Sequence, residues 1–349
     1  MKIAVLMSGG IDSSFAAFYL KEKGYDIVGV NFLNTEKSCE EAEGRARKIA
    51  KFLSIPYFVL DLRNVFEEEI KEPFYSAFRR GETPNPCPFC NRLIKFGVAL
   101  EKVKKLGVEK LASGHYVKSG YSRKEERWFL RKADDRTKDQ SYFLWNLSQE
   151  QISRALFPLG VFYKKDIKKI MMEKFSGIFS KESYKESQNI CFLKGRKLSE
   201  FLKERLGEKE GPILDERGSK IGTHQGLHLF TVGQRAGLGI GARSPFQAPL
   251  YVLGYQKEKN VVIVGREKSL FKKETRVQKI NWVSIPALAD KIKAKVRIRY
   301  RHQEAEAEIQ PVASNKSRIV FKIPQRAITP GQHAVFYKKD TLLGGGVFE

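Results

Sequence analysis

Three thiols carry the first chemical signal in this chain. Cys87 and Cys90 form a C-x-x-C pair inside TPNPCPFCNRLIKFG, and Cys191 follows in SQNICFLKG. The pair alone admits three readings. A structural zinc site wants four ligands, usually from a second C-x-x-C, and none is present. A thioredoxin-like pair would follow the first strand and open a helix, whereas this one is expected in a proline-rich loop after the third strand. The remaining reading folds Cys191 back onto the pair, giving three sulfurs suited either to a sulfur relay or to an iron–sulfur cluster with one open iron. Cys39 reads as an ordinary core cysteine. His224 and His228 are four apart, but their glycine-rich surroundings do not favour the helix such a metal-binding pair needs.

The second signal is MSGGIDSS, between an apolar run and a helix-like run. Backbone N–H groups and the helix dipole can hold an anion at such a junction. Ser8, Gly9 and Gly10 let the backbone wrap a phosphate, and Ser13 and Ser14 add hydroxyl donors. Asp12 repels phosphate, so it is expected to cap backbone amides or help hold Mg²⁺. No Gly-Lys-Ser/Thr follows, so this is not a Walker loop.

The elements that must position these residues follow a regular alternation. KIAVLM, DIVGVNF, IPYFVLDL and KLASGHYV read as strands. Between them, FAAFYLKEKG, CEEAEGRARKIAKFLS and RLIKFGVALEKVKKLG read as helices. Alternating strands and helices predict βαβ units and a doubly wound parallel sheet, hence an α/β protein. From about Leu147 to Leu206 the pattern is mostly helical, with KKDIKKIMMEKF its most basic part. Beyond Gly207 glycines crowd the chain, among them Gly218, Gly222, Gly226, Gly233, Gly237, Gly239 and Gly241, which implies special backbone angles or close approaches. From about Thr275, short alternating runs with turn spacing predict a small antiparallel β-barrel. The expected domains are 1–206 (nucleotide-binding and catalytic), 207–273 (small, glycine-rich) and 274–349 (barrel).

Composition fits a nucleic-acid partner. The 349 residues carry 64 Lys plus Arg against 40 Asp plus Glu, a formal charge of +24. Such an excess favours a polyanion over a membrane surface. Four cysteines are too few for a secreted disulfide scaffold, and no run approaches a membrane span or a signal peptide, so a cytoplasmic protein is expected.

At MSGGIDSS the chain resembles the ATP pyrophosphatase (PP-loop) enzymes, which cleave ATP between its α and β phosphates and adenylate a carbonyl oxygen. With TPNPCPFCNRLIKFG, SGHYV, TKDQSYFLWNLSQEQISRALFPLG, SQNICFLKGRKLSEFL, GTHQGLHLFTVGQRAGLGIG, RYRHQ and ITPGQHAVFYKKDTLLGGGVFE added in order, it resembles the tRNA-specific 2-thiouridylases nearly end to end. The resemblance implies ATP with Mg²⁺ and tRNA as partners, and sulfur from a protein persulfide or inorganic sulfide. It implies Cys90 as nucleophile and Cys191 as the persulfide carrier, with Leu6, Met7, Ser8, Gly9, Gly10, Ile11, Asp12, Ser13, Phe32 and Gly114 around ATP. Asn85, Pro86 and Cys87 would face the target base. His115, Lys138, Asp139, Gln140, Arg299, Tyr300 and Gln332 would touch tRNA. Cys87 departs from the family pattern, which has Asp there, and a thiol with a free pKa near 8.5 replaces that carboxyl poorly as acid or base. The departure instead suggests Cys87, Cys90 and Cys191 as ligands of a [4Fe-4S] cluster. A PP-loop ligase needing no cysteine, and a non-enzymatic RNA-binding protein, are the competing expectations.

Overall fold

The computed structural model describes residues 1–35, 40–179, 190–193, 195–240, 248–313 and 315–349. Cys39, residues 187–189 before Cys191, and Gly241 lie outside them.

Five parallel strands form the first sheet. They are β1 (Lys2–Leu6), β2 (Asp26–Leu33), β3 (Tyr57–Asp61), β4 (Lys110–Ala112) and, beyond the hairpin β5 (Val117–Ser122) and β6 (Arg127–Lys132), β7 (Ala155–Leu156). Their order is β3-β2-β1-β4-β7. The β1 run is apolar throughout because both of its faces are covered. Ile3, Val5 and Met7 pack with helix α1 (Ile11–Glu22), helix α2 (Glu40–Phe52) and helix Lys164–Lys174. Ala4 and Leu6 pack on the other side with Phe96, Leu100 and Val103. The order reverses between β1 and β4, and in open α/β sheets that switch point is where ligands bind, off the carboxyl ends of the strands.

KLASGHYV is shorter as a strand than expected. β4 ends at Ala112, and Gly114 and His115 turn away before β5 begins.

The glycine-rich region carries a four-stranded sheet, β10-β11-β8-β9, from β8 (Gly211–Leu214), β9 (Lys220–His224), β10 (Tyr251–Gln256) and β11 (Val261–Gly265). Gly226, Gly233, Gly237 and Gly239 all have positive φ, which accounts for the glycine density.

The barrel comprises β12 (Phe271–Trp282), β13 (Ile292–Arg297), β14 (Ala305–Ala313), β15 (Lys316–Arg326), β16 (His333–Lys338) and β17 (Thr341–Phe348). It closes because β12 pairs antiparallel with both β15 and β17. β17 also pairs with β6, which adds the β5–β6 hairpin to the barrel sheet although it lies between β4 and β7 in the chain. Val335, Tyr337 and Leu342 of the barrel share a core with Ala4, Leu6 and Trp145. Barrel and parallel sheet are therefore one packed body.

Candidate active site: a phosphate loop beside three thiols

Residues 8–13 leave the carboxyl end of β1 and turn into α1. Gly9 takes φ +76°, and a Cβ there would lie 1.8 Å from the Ala42 carbonyl oxygen at the start of α2. Only glycine allows that approach. The Ser13 hydroxyl accepts from the Ser8 amide at 3.2 Å and donates to the Gly10 carbonyl at 3.0 Å, while Arg45 Nε donates to the Gly9 carbonyl at 3.1 Å. Gly10 precedes the first helical turn without a side-chain cap, so that turn's N–H groups can serve an anion. Across the switch point, a Cβ on Gly114 would lie 2.9 Å from the Ser13 amide nitrogen, so β4 and α1 close on the same recess. Phe32, near the end of β2, packs against both the core that holds Leu6 and Phe96 and the core that takes Cys90 and Phe192.

Asp12 does not cap the helix by itself. Its Oδ1 accepts from Lys164 Nζ at 2.6 Å and from the Tyr116 hydroxyl at 2.7 Å. Lys164 is buried and opens the basic helix Lys164–Lys174. An ammonium beside the phosphate loop answers the negative charge of Asp12 and of any anion seated there.

The thiol pair does open a helix, contrary to the sequence expectation of a pure loop. Residues 87–104 are helical, with Cys87 in the first turn and Pro88 at a position that tolerates a missing N–H. The Asn85 Oδ1 accepts from the Cys87 amide at 3.1 Å and so starts the helix. From Cys90 to Ala99 the helix widens to π geometry and is kinked at Gly97, with φ −103° and ψ −105°. Residues five apart share a face of a π turn, so Lys95 returns to the side of Cys90.

Cys191 is brought in by an aromatic anchor. Phe192, next to it, sits edge-on to Phe74 with ring centres 5.2 Å apart and against Phe66 at 5.9 Å, in the core that also takes Cys90. Asn34 Nδ2 lies 3.7 Å from the Cys191 sulfur. Cys191 is exposed and the pair is half-buried, so the three thiols line a recess open to solvent. Burial pushes Cys87 up to about 11 and Cys90 to about 12, and raises Cys191 as well; the Lys95 ammonium pulls all three back down. Cys191 also acts electrostatically on both members of the pair. The thiols are therefore neutral at rest, not the low-pKa thiolates that a relay reading assumes, and Lys95 is the cation placed to favour a thiolate.

The chemistry of the three thiols suits a cluster. Among the described residues no three His, Cys, Asp or Glu side chains converge as a metal-holding group.

The residues expected to touch tRNA have diverse surroundings. Arg299 is exposed, and the Tyr300 ring lies tilted against Phe143 with ring centres 4.4 Å apart; the Phe143 carbonyl accepts from Asn91 beside Cys90. Pro86 is buried and Asn85 half-buried in the thiol loop, and Lys138 is half-buried. His115 Nδ1 is 2.8 Å from the Ser113 hydroxyl, and burial with the nearby Lys95 holds the ring well below the usual histidine range. Gln140 accepts from the Tyr116 amide at 3.0 Å. Asp139 departs from the expectation. It is 3% exposed, and its carboxylate takes Ser141 at 2.9 Å and Arg297 of the barrel at 3.2 Å, so it joins domains and offers RNA no surface. Gln332 donates to the Thr83 carbonyl at 2.6 Å. His224 is a structural histidine, bonded to the Asn260 carbonyl and the Gly226 amide. Lys95 and Lys164 were missed in the sequence; their only signal was a register relative to Cys90 and to Asp12 that the fold alone creates.

A doubly wound sheet with a Ser-Gly-Gly-x-Asp-Ser loop at its switch point, joined to a thiol recess and a closed barrel, defines a PP-loop protein of the α/β class. Residues 1–195 match the family described as tRNA methyl transferase HUP domain, residues 199–266 the tRNA methyl transferase PRC-barrel domain, and residues 272–348 the aminomethyltransferase beta-barrel domain. A tRNA-specific 2-thiouridylase MnmA 2 of Thermoanaerobacter sp. (strain X514) is 40% identical, covering 100% of this chain and 98% of its own. The tRNA-specific 2-thiouridylase MnmA of Moorella thermoacetica is 39% identical over 99% and 98%, and that of Gloeothece citriformis 39% over 100% and 99%. The chain belongs to the tRNA-specific 2-thiouridylase family.

Proposed function

We propose that this protein uses ATP to replace O2 of the wobble uridine of a tRNA with sulfur. The observation that carries the reading is that the residue 8–13 loop leaves the carboxyl end of β1 while Asn34, just past the carboxyl end of the neighbouring β2, lies 3.7 Å from the Cys191 sulfur, so the phosphate loop and the thiol site open from the same edge of the sheet. An amide-like oxygen is a poor leaving group, so a phosphate loop beside a sulfur site makes chemical sense only if the nucleotide activates that oxygen first. The methyl-transfer wording of the family description would leave the thiols without a task.

In this scheme the loop amides and Lys164 hold the phosphates of ATP, and Asp12 is the carboxylate that would hold Mg²⁺ beside them. O2 of the uridine attacks the α-phosphorus and pyrophosphate leaves. The outer sulfur of a persulfide on Cys191 then attacks C2, and AMP departs with the oxygen. Cys90, as thiolate, attacks the inner sulfur; the C2-bound sulfur is released as the thiocarbonyl, and a Cys90–Cys191 disulfide remains for a dithiol to reduce. Lys95 supplies the positive charge that these thiolates need in a recess that otherwise disfavours them. No step is routed through a cluster; the scheme uses only this chain's own thiols and Lys95.

Arg299, Tyr300, His115, Lys138, Gln140 and Gln332 serve the tRNA, with Asn85, Pro86 and Cys87 near the base. Unmodified tRNA with ATP, Mg²⁺ and a persulfide donor should yield pyrophosphate and 2-thiouridine, both read by mass spectrometry. Cys90→Ser and Cys191→Ser should abolish thiouridine; full activity in either would refute the relay, and pyrophosphate release without any thiouridine in the wild type would favour a PP-loop ligase. The extra thiol at Cys87 favours one second reading, a [4Fe-4S] cluster held by Cys87, Cys90 and Cys191. Anaerobic reconstitution followed by iron and sulfide analysis tests it, with Cys87→Ser as the comparison.

A further inference from the structure

The thiol loop cannot hold itself. Pro84 and Pro86 have no N–H to donate, so the backbone between Thr83 and Cys87 needs partners from elsewhere. The barrel supplies them. Thr83 N donates to the Pro330 carbonyl at 2.9 Å, Gln332 Nε2 donates to the Thr83 carbonyl at 2.6 Å, and His333 Nε2 lies 2.8 Å from the Asn85 carbonyl, which can only accept. Asn85 in turn holds the Cys87 amide. Gly331 makes the fit tight: its φ is +84°, and a Cβ there would sit 2.9 Å from that of Glu82. His333 is fully buried against Phe89, the residue just before Cys90, and against Trp145 and Tyr142, whose hydroxyl donates to the His333 carbonyl at 3.1 Å.

We propose that barrel residues 330–333 are the positioning element of the thiol loop, with His333 as the residue that fixes Asn85 and, through it, Cys87. This rests on the thiolation reading for its consequence. Gln332, assigned above to tRNA, sits in the same segment, so the barrel's grip on tRNA and its grip on the thiols share one stretch of backbone. His333 touches no reacting atom; it acts through Asn85.

The test uses the full chain and two readouts. The first is the iodoacetamide alkylation rate of Cys87 and Cys191 in the absence of tRNA and ATP, followed by peptide mass spectrometry. The second is kcat and KM for tRNA in thiolation. His333→Leu removes one buried hydrogen bond and should raise Cys87 alkylation about tenfold and lower kcat by a similar factor. Cys191 alkylation and the KM for tRNA should stay within about twofold of wild type, the range of a bond too weak to matter. His333→Gln, whose Nε2 can reach the same carbonyl, should restore both. A folded His333→Leu with unchanged Cys87 reactivity, or a Gln variant as impaired as Leu, overturns the proposal. If the wild type makes no thiouridine, the alkylation rates still decide it, so the two readings fail separately. Should His333→Leu not fold, hydrogen exchange in Gln332→Met decides: faster exchange across residues 83–90 supports the clamp, and unchanged exchange refutes it.

Discussion

Lys95 is the residue whose removal separates the two halves of the reaction. It pulls Cys87, Cys90 and Cys191 down against burial, so Lys95→Gln should move their titration upward, read as thiolate absorbance near 240 nm. One pKa unit is a tenfold change in thiolate, so sulfur transfer should slow about tenfold while pyrophosphate release continues. His333 makes a second prediction. Burial holds its ring down at about 4, below an ordinary histidine near 6.5. Between those values the unfolded chain binds a proton that the folded chain refuses, so the neutral ring stabilises the fold fully above pH 6.5 and that contribution fades as pH falls toward 4. Its full size is about 3 kcal/mol, and thermal unfolding from pH 7 to 4.5 should fall less steeply in His333→Gln than in wild type. The cysteines and the serine-glycine loop were legible in the sequence because their spacing is local. Lys95, Lys164 and His333 were not, because each matters only through partners that folding brings near.

At the scale of elements, the phosphate loop depends on the backbone contact between Gly9 and α2. Gly9→Ala places a methyl group into the Ala42 carbonyl and strains a φ of +76° as well, so the loop must move or α2 must. ATP binding should be lost, with a stability cost of about 1–3 kcal/mol from the backbone strain, measured by calorimetry and thermal melting. The alternation of strands and helices was readable because parallel strands buried on both faces leave continuous apolar runs. The helix beginning at Cys87 was hidden by its prolines, which mark loops in a sequence yet are tolerated in a first helical turn. Its π geometry was hidden too, since no side-chain period distinguishes a short π stretch from an α-helix.

For the whole molecule, the joint between sheet domain and barrel is partly ionic. Asp139, Arg297, Glu304 and Lys132 form a linked set, with Asp139 and Lys132 nearly inaccessible. Asp139→Ala removes one of the two carboxylates paired with Arg297, leaving Glu304 and the Tyr337 ring beside it, and should cost about 3 kcal/mol. It should leave the salt dependence of tRNA binding unchanged, whereas an RNA-contacting residue would alter it. With several domains on one RNA and about six to ten phosphates neutralised, wild-type affinity should fall by roughly 10³ to 10⁵ between 50 and 200 mM salt, read by filter binding. The three-part division was visible in composition, but the transfer of β5–β6 to the barrel sheet was not, because strand partners far apart in the chain leave no local trace.

That transfer also sets a clock for synthesis. The hairpin is made early, but the strand that receives it, β17, emerges late: Lys132 and its contact at the Lys339 carbonyl are 207 positions apart. At about 5–20 residues per second the hairpin waits roughly 10 to 40 s with an open edge, long enough to meet a chaperone or a neighbouring chain. The N-terminal half of this enzyme is therefore a domain that cannot be finished first, and a ribosome stalled in the barrel would leave behind an incompletely closed sheet.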